Sequence, residues 1–270
     1  MIIDFHTHIF PEKIAAGTVS ALARASGSMP YADGTAEGLV LALDEAGADL
    51  AVNLPVLTKP SQFDSITRFG EAVNRGEIGG GRIISFGGIH PDDGDIEEKI
   101  STLADKGFLG IKIHPDYQGA FIDDERYVRI FRAAAAHDLV VVTHAGLDGA
   151  YVGEPIKCTP KRILSLLDKL GGYEKLVLAH NGGNELGCEV LKSLAGEDVY
   201  FDTGYNLSAV GRDLFVKILE KHSSKKILFA TDSPWRSIRL EVERIRSFGL
   251  TADEERAILS DNAKTLLKLN

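Results

Sequence analysis

The sequence predicts an α/β protein built as one TIM (β/α)8 barrel. Three observations lead there. Short apolar runs alternate with longer amphipathic segments along the chain, and regular alternation of this kind calls for parallel strands joined by helical crossovers. The run at residues 139–144 is almost unbroken in apolar residues, as strands buried on both faces are. The chain has 270 residues, close to the roughly 250 that a closed barrel takes. No linker, repeat or low-complexity stretch divides it, so residues 1–270 read as a single domain.

The elements follow in order. Strand one is read at residues 2–9, followed by a loop rich in small residues and a helix over 35–48. Strand two is 50–56, and the helix after it, 61–77, breaks at Gly79-Gly80-Gly81. Strand three is 83–89, with a helix over 95–106. Strand four is 109–113, with a helix over 124–137. Strand five is 139–144. After the long loop 146–159, Pro160 opens a helix that closes near Gly171, the expected placement of proline and glycine at helix ends. Strand six is 175–180, with a helix over 184–195, and strand seven is 199–203, with a helix over 212–222. Strand eight is 226–231, and helical stretches near 238–248, 252–259 and 262–267 close the chain.

Composition narrows the function classes. Hydrophobic residues make up 44% and charged residues 26% of the chain, as in a soluble globular protein. The formal net charge of -9 counts against a nucleic acid or an anionic membrane surface as partner. It leaves a small molecule as the expected partner, and a homodimer remains open. No apolar run of about 18 residues is present, so no transmembrane helix is expected. The opening MIIDFHTHIF has no signal-peptide pattern. Cys158 and Cys188 match no metal or redox spacing, and free thiols fit a reducing cytoplasm.

The polar residues on the strands carry the functional argument. His6 and His8 close strand one, His90 strand three, His144 strand five, His180 strand six and Asp232 strand eight, while Lys112 and His114 lie on strand four. In a TIM barrel, the C-terminal strand ends build the active site. His6 and His8 are two apart and share one face of their strand, and two neutral imidazoles on one face make half of a zinc site. A carboxylate such as Asp232 at the end of a buried strand is costly unless paired or bound to a metal, and capping the helix after Pro234 is its other reading. Lys112 can pair with Asp232, bind a substrate carboxylate, or be modified into a metal-bridging ligand. His90 and His114 each precede a proline, and ending their strands is the other reading of each. His137 and His222 are read as surface or capping residues. Arg236 joins Lys112 as a candidate for binding a substrate carboxylate. Tyr117, Lys157, Cys158, Trp235 and the loop 147–154 are further candidates for substrate contact.

Taken together, IDFHTHIFP, GIKIHPD, VVTHAG, LAHNGG and FATDSPW resemble the amidohydrolase superfamily over nearly the whole chain. The nearest pattern is that of aminocarboxymuconate semialdehyde decarboxylase and related small metal-dependent hydrolases. The resemblance implies one divalent ion, zinc first, held by His6, His8, His144 and Asp232, with His180 catalytic. Another branch of the superfamily holds two metals bridged by a carbamylated strand-four lysine, so Lys112 and His114 keep a binuclear site open. TatD-like nucleases typically have a glutamate at strand four, and Lys112 with the net charge counts against that branch.

Such a metal lowers the pKa of a bound water to about 7. Asp232 would then act as general base and His180 would steady the developing charge or protonate a leaving group. The expected activity is hydrolysis of an amide, lactone or ester bond in a small molecule. Non-oxidative decarboxylation of an unsaturated or aromatic carboxylic acid is the alternative, since it uses the same ligands.

Overall fold

The computed structural model describes residues 1–269. Eight parallel strands form its centre: β1 Ile3–Thr7, β2 Leu50–Asn53, β3 in two pieces at Ile83–Ser85 and Gly87–Gly88, β4 Gly110–Ile113, β5 Val140–Thr143, β6 Leu176–Leu178, β7 Tyr200–Asp202 and β8 Ile227–Leu228. Each strand pairs in parallel with the next. The last strand also meets the first. Phe5 N donates to Phe229 O at 2.9 Å, Asp232 N to His6 O at 2.7 Å and His8 N to Ser233 O at 2.6 Å. These bonds bring His6, His8 and Asp232 to one point on the rim, although strands one and eight lie more than 200 residues apart.

The crossover helices are α1 Glu12–Ser26, α2 Ala36–Ala46, α3 Phe63–Asn74, α4 Ile96–Asp105, α5 Glu125–Ala136, α6 Pro160–Leu170, α7 Gly187–Glu189 running on as a π-helical turn Val190–Leu194, α8 Leu207–His222 and α9 Ile238–Ser247. Thr159 caps α6 by accepting from Arg162 N, Pro160 sits in its first turn, and Gly171 ends it in the left-handed conformation, as the sequence predicts. Leu43, Leu103, Phe131 and Phe215 are fully buried in the larger apolar cluster, and Phe5, Phe86, Val142 and Leu228 in a second. Each such side chain contributes about 1.5–3 kcal/mol by leaving water.

The structure corrects the sequence reading in places. The segment read as a loop of small residues is α1, fifteen residues long and anchored by buried Ala15 and Val19. Its alanines favour helix, so small size alone misled. The helix expected over 184–195 starts only at Gly187 and is largely π-helical. α8 begins five residues earlier than expected, and Gly211 breaks its helical geometry with φ 68°. Both cysteines are free, with Cys158 buried and Cys188 exposed. No helix among the described residues is long and apolar enough to cross a membrane.

His222 also departs from expectation. It is buried and lies flat on Phe201, with ring centroids 3.8 Å apart. Its Nδ1 accepts from Gly196 N at 3.1 Å. Burial holds its pKa down at about 4. The unfolded chain therefore takes up this proton first as pH falls, so His222 contributes stability above pH 6.5 that is lost progressively toward pH 4. Denaturant titrations at pH 7 and 4.5 should show a loss on the order of 1–3 kcal/mol that disappears in His222→Gln. Equal losses in both proteins would refute this. His137, by contrast, is exposed and ends α5 as a C-cap.

Candidate active site

The strand ends deliver their polar groups to one cavity of about 530 Å3 at the C-terminal mouth of the barrel. His6, His8, Lys112, His114, His144, His180 and Asp232 all line it. The backbone helps to aim two of them. His180 and Asp232 adopt positive φ, 62° and 64°, a conformation rare outside glycine and concentrated at functional sites. Asp232 is not a helix cap, because Ser237 caps α9 by accepting from Leu240 N.

His6, His8 and Asp232 converge most closely. His8 Nε2 lies 2.9 Å and His6 Nε2 3.3 Å from Asp232 Oδ1, and the two Nε2 atoms are 3.2 Å apart. The far side of each ring fixes its tautomer. His6 Nδ1 faces the Asp202 carboxylate at 2.8 Å, and His8 Nδ1 faces Leu54 O at 2.8 Å. Both partners only accept, so each Nδ1 carries the proton and, in a neutral ring, each Nε2 presents a lone pair. Burial, and then the charge of Lys112, keep His6 neutral by pushing its pKa well below 6.5. Two lone pairs and a carboxylate oxygen thus crowd one point. That arrangement is repulsive until a cation sits among them, and the donor set suits a divalent metal.

The groups behind these three side chains are equally ordered. Asp202 is fully buried. Its Oδ2 accepts from His6, while Oδ1 accepts from His180 N and Gly204 N, both at 2.9 Å. Asp4, also fully buried, accepts from His6 N and from Thr231 N and Oγ1, and burial raises its pKa to about 7. Lys112 does not pair with Asp232. Its Nζ lies 3.2 Å from His6 Nε2, and burial lowers its pKa to about 8.

The remaining histidines form a second group. His144 Nδ1 lies 3.0 Å from His180 Nε2, and His180 Nδ1 3.0 Å from Gly204 O. His144 therefore lies beside His180, outside the His6–His8–Asp232 trio, and its ring groups with His114 and Asp148, while His180 groups with His6 and Asp202. His114 stacks on His144 at 4.2 Å between centroids, its Nε2 3.3 Å from Asp148 Oδ2 and its Nδ1 accepting from Tyr117 N. Burial holds both rings well below their usual pKa. Gly146 carries the chain away from His144 with φ +85°, and a Cβ there would fall 2.2 Å from Asn184 N.

Several outer candidates resolve clearly. Tyr117 and Trp235 line the cavity, as do Leu147, Asp148 and Gly149 of the long loop. Arg236 does not. Its Nε donates to Tyr205 O at 2.8 Å and its guanidinium covers the Tyr205 ring at 4.0 Å, so it braces a residue that lines the cavity. Lys157 turns to Asp116 and Glu154, Cys158 is buried, and His90 accepts from Asp92 N in a turn.

Comparison with known proteins shows the family and the fold. The family model described as amidohydrolase matches residues 3–269. The chain belongs to the amidohydrolase family. No curated protein sequence matches it. This amidohydrolase-family chain is similar in structure to 2,6-dihydroxybenzoate decarboxylase complexed with 2,6-dihydroxybenzoate, with TM-score 0.75, 16% identity and 99% of each chain covered. It is similar to 5-carboxyvanillate decarboxylase from Novosphingobium aromaticivorans with bound manganese and a nitrobenzoic acid, at TM-score 0.73 and 15% identity, over 100% of this chain and 97% of that one. It is also similar to Metarhizium anisopliae IDCase, at TM-score 0.70 and 18% identity, over 100% and 97%. At such identities these likenesses show the TIM-barrel fold of the family.

Proposed function

We propose that this chain is a metal-dependent, non-oxidative decarboxylase of a small aromatic or unsaturated carboxylic acid. The observation that carries the metal dependence is the convergence of His6 Nε2, His8 Nε2 and Asp232 Oδ1 with their outer nitrogens already committed to acceptors. Asp202 acts behind His6 rather than as a ligand, and His144 lies beside His180. Two imidazoles and a carboxylate suit zinc, and manganese is named for one structural neighbour. A divalent cation there would polarise a bound carboxylate or water as a Lewis acid.

Hydrolysis, the first expectation from sequence, gives way on two grounds. Several structural neighbours are named as decarboxylases of aromatic acids. The cavity itself has aromatic walls from Phe10, Phe69, Tyr117, Tyr205 and Trp235, and Lys112 is the one lysine or arginine lining it. A flat ring fits such walls, and its carboxylate is drawn to the cationic floor. In the reaction, the bond between the ring carbon and the carboxylate breaks and carbon dioxide leaves. The electron pair stays on the ring carbon, which takes a proton. Asp232 takes that proton from water and delivers it, the hydroxide left behind is neutralised by a solvent proton, so that one proton is consumed for each carbon dioxide released, and His180, fixed by Gly204 O, steadies the charge that develops.

Zinc- or manganese-loaded protein should release one carbon dioxide per molecule of ring product from some member of a hydroxybenzoate panel. The same preparations should leave esters, lactones and amides of those acids intact. Ester or amide cleavage without carbon dioxide release would return the assignment to hydrolysis.

A further inference from the structure

The cavity is lined by more than the histidine and aspartate cluster. On α1, Ile14, Thr18 and Leu22 face it, and on α3, Ile66 and Phe69 do. Residues four apart lie on one side of a helix, and the eight steps from Ile14 to Leu22 advance about 12 Å along the axis. This wall is longer than one six-membered ring. No lining residue from α1 or α3 is charged. Ile14 is 53% exposed although it lines the cavity, so a large apolar side chain stands on this face with little of the protein covering it. At about 530 Å3 the space lies in the range that takes up ligands larger than a single ring.

We propose that the substrate carries an extended apolar substituent, alkyl or aryl, which lies along the α1 face formed by Ile14, Thr18 and Leu22. The inference rests on the decarboxylase reading for the acid end only. The occupant is the tail of the same small molecule, because the face is continuous with the cavity that holds the histidines and Asp232. Thr18 sits at the middle of the face, so its size sets how long a tail is accepted.

The chain carries its own reporter. Trp235 is its one tryptophan and it lines the cavity, so its fluorescence reads binding without turnover. The probes are 4-alkoxybenzoates from methoxy to hexyloxy, titrated into zinc-loaded protein. Each added methylene should tighten Kd about fourfold until the wall is covered. Thr18→Phe should leave the Kd of benzoate within about twofold and weaken hexyloxybenzoate by about tenfold or more. Thr18→Ser should behave as the parent across the series, and circular dichroism checks that each variant folds.

A Kd that does not change with chain length would overturn the proposal. So would equal weakening of short and long probes by Thr18→Phe. A flat series together with concentration-dependent dimerisation would assign the α1 face to a second copy of the chain instead. The two readings fail separately. Chain-length dependence without any carbon dioxide release removes the decarboxylase assignment and keeps the tail site. Carbon dioxide release from unsubstituted acids with no benefit from a tail does the reverse.

Discussion

Replacing Asp232 with asparagine should lower kcat by at least about 100-fold at saturating metal, within the range for losing a group that moves a proton. Asparagine keeps the shape of the side chain, so the backbone bonds from Asp232 N to His6 O and from Trp235 N to Asp232 O survive. What disappears is the negative charge facing His6 and His8, and the ability to take up and give back a proton. Saturating metal separates the two losses. Weaker metal binding raises the metal concentration needed, whereas loss of proton transfer persists once the site is full. A folded Asp232→Asn protein that is metal-replete and as active as the parent would exclude Asp232 from the chemistry.

The second large effect is expected away from the substrate. Asp202→Asn should weaken metal binding about 10- to 100-fold, as losses of a ligand's hydrogen-bond partner do. Asp202 Oδ1 already accepts from His180 N and Gly204 N, and an asparagine oxygen would keep that position. Its NH2 would then face His6 Nδ1, where the carboxylate now accepts at 2.8 Å. Two donors cannot share that contact. His6 would switch tautomer, and its Nε2 would carry a hydrogen toward the metal instead of a lone pair. Metal affinity measured by chelator competition reads this directly. Excess metal should restore much of the activity, which a merely misfolded protein would not permit. Unchanged affinity would show that Asp202 does not position His6.

These two predictions also mark what the sequence reveals and what it conceals. His6, His8, His180 and Asp232 are legible because a polar residue ending an apolar run has few alternatives, and the barrel places strand ends together. Asp202 escapes attention although it also closes a short buried run, Tyr200–Asp202. A carboxylate that serves another residue has no motif of its own. Its burial at the end of β7, beside the strand of His180, is the feature that could have exposed it. His144 shows the opposite limit. Its strand end is legible, but its pairing with His180 depends on ring orientation, which no spacing encodes. Arg236 is two residues from the end of FATDSP, yet side-chain direction turns it onto Tyr205. α1 was concealed because its alanines and glycine resemble loop composition, while only Ala15 and Val19 are buried to mark a helical face. The helix that sequence reading passed over is the one that supplies the apolar wall of the cavity.

The central claim is that His6, His8 and Asp232 hold a single divalent cation. Metal content per chain, measured by plasma mass spectrometry on protein purified without chelator, tests it most directly. The account predicts a value near one zinc or manganese in the parent protein and near zero in His8→Ala. A value near two would contradict a single-ion site and make Lys112 a bridging candidate. Absence of metal after attempted reconstitution with both ions would contradict the site altogether.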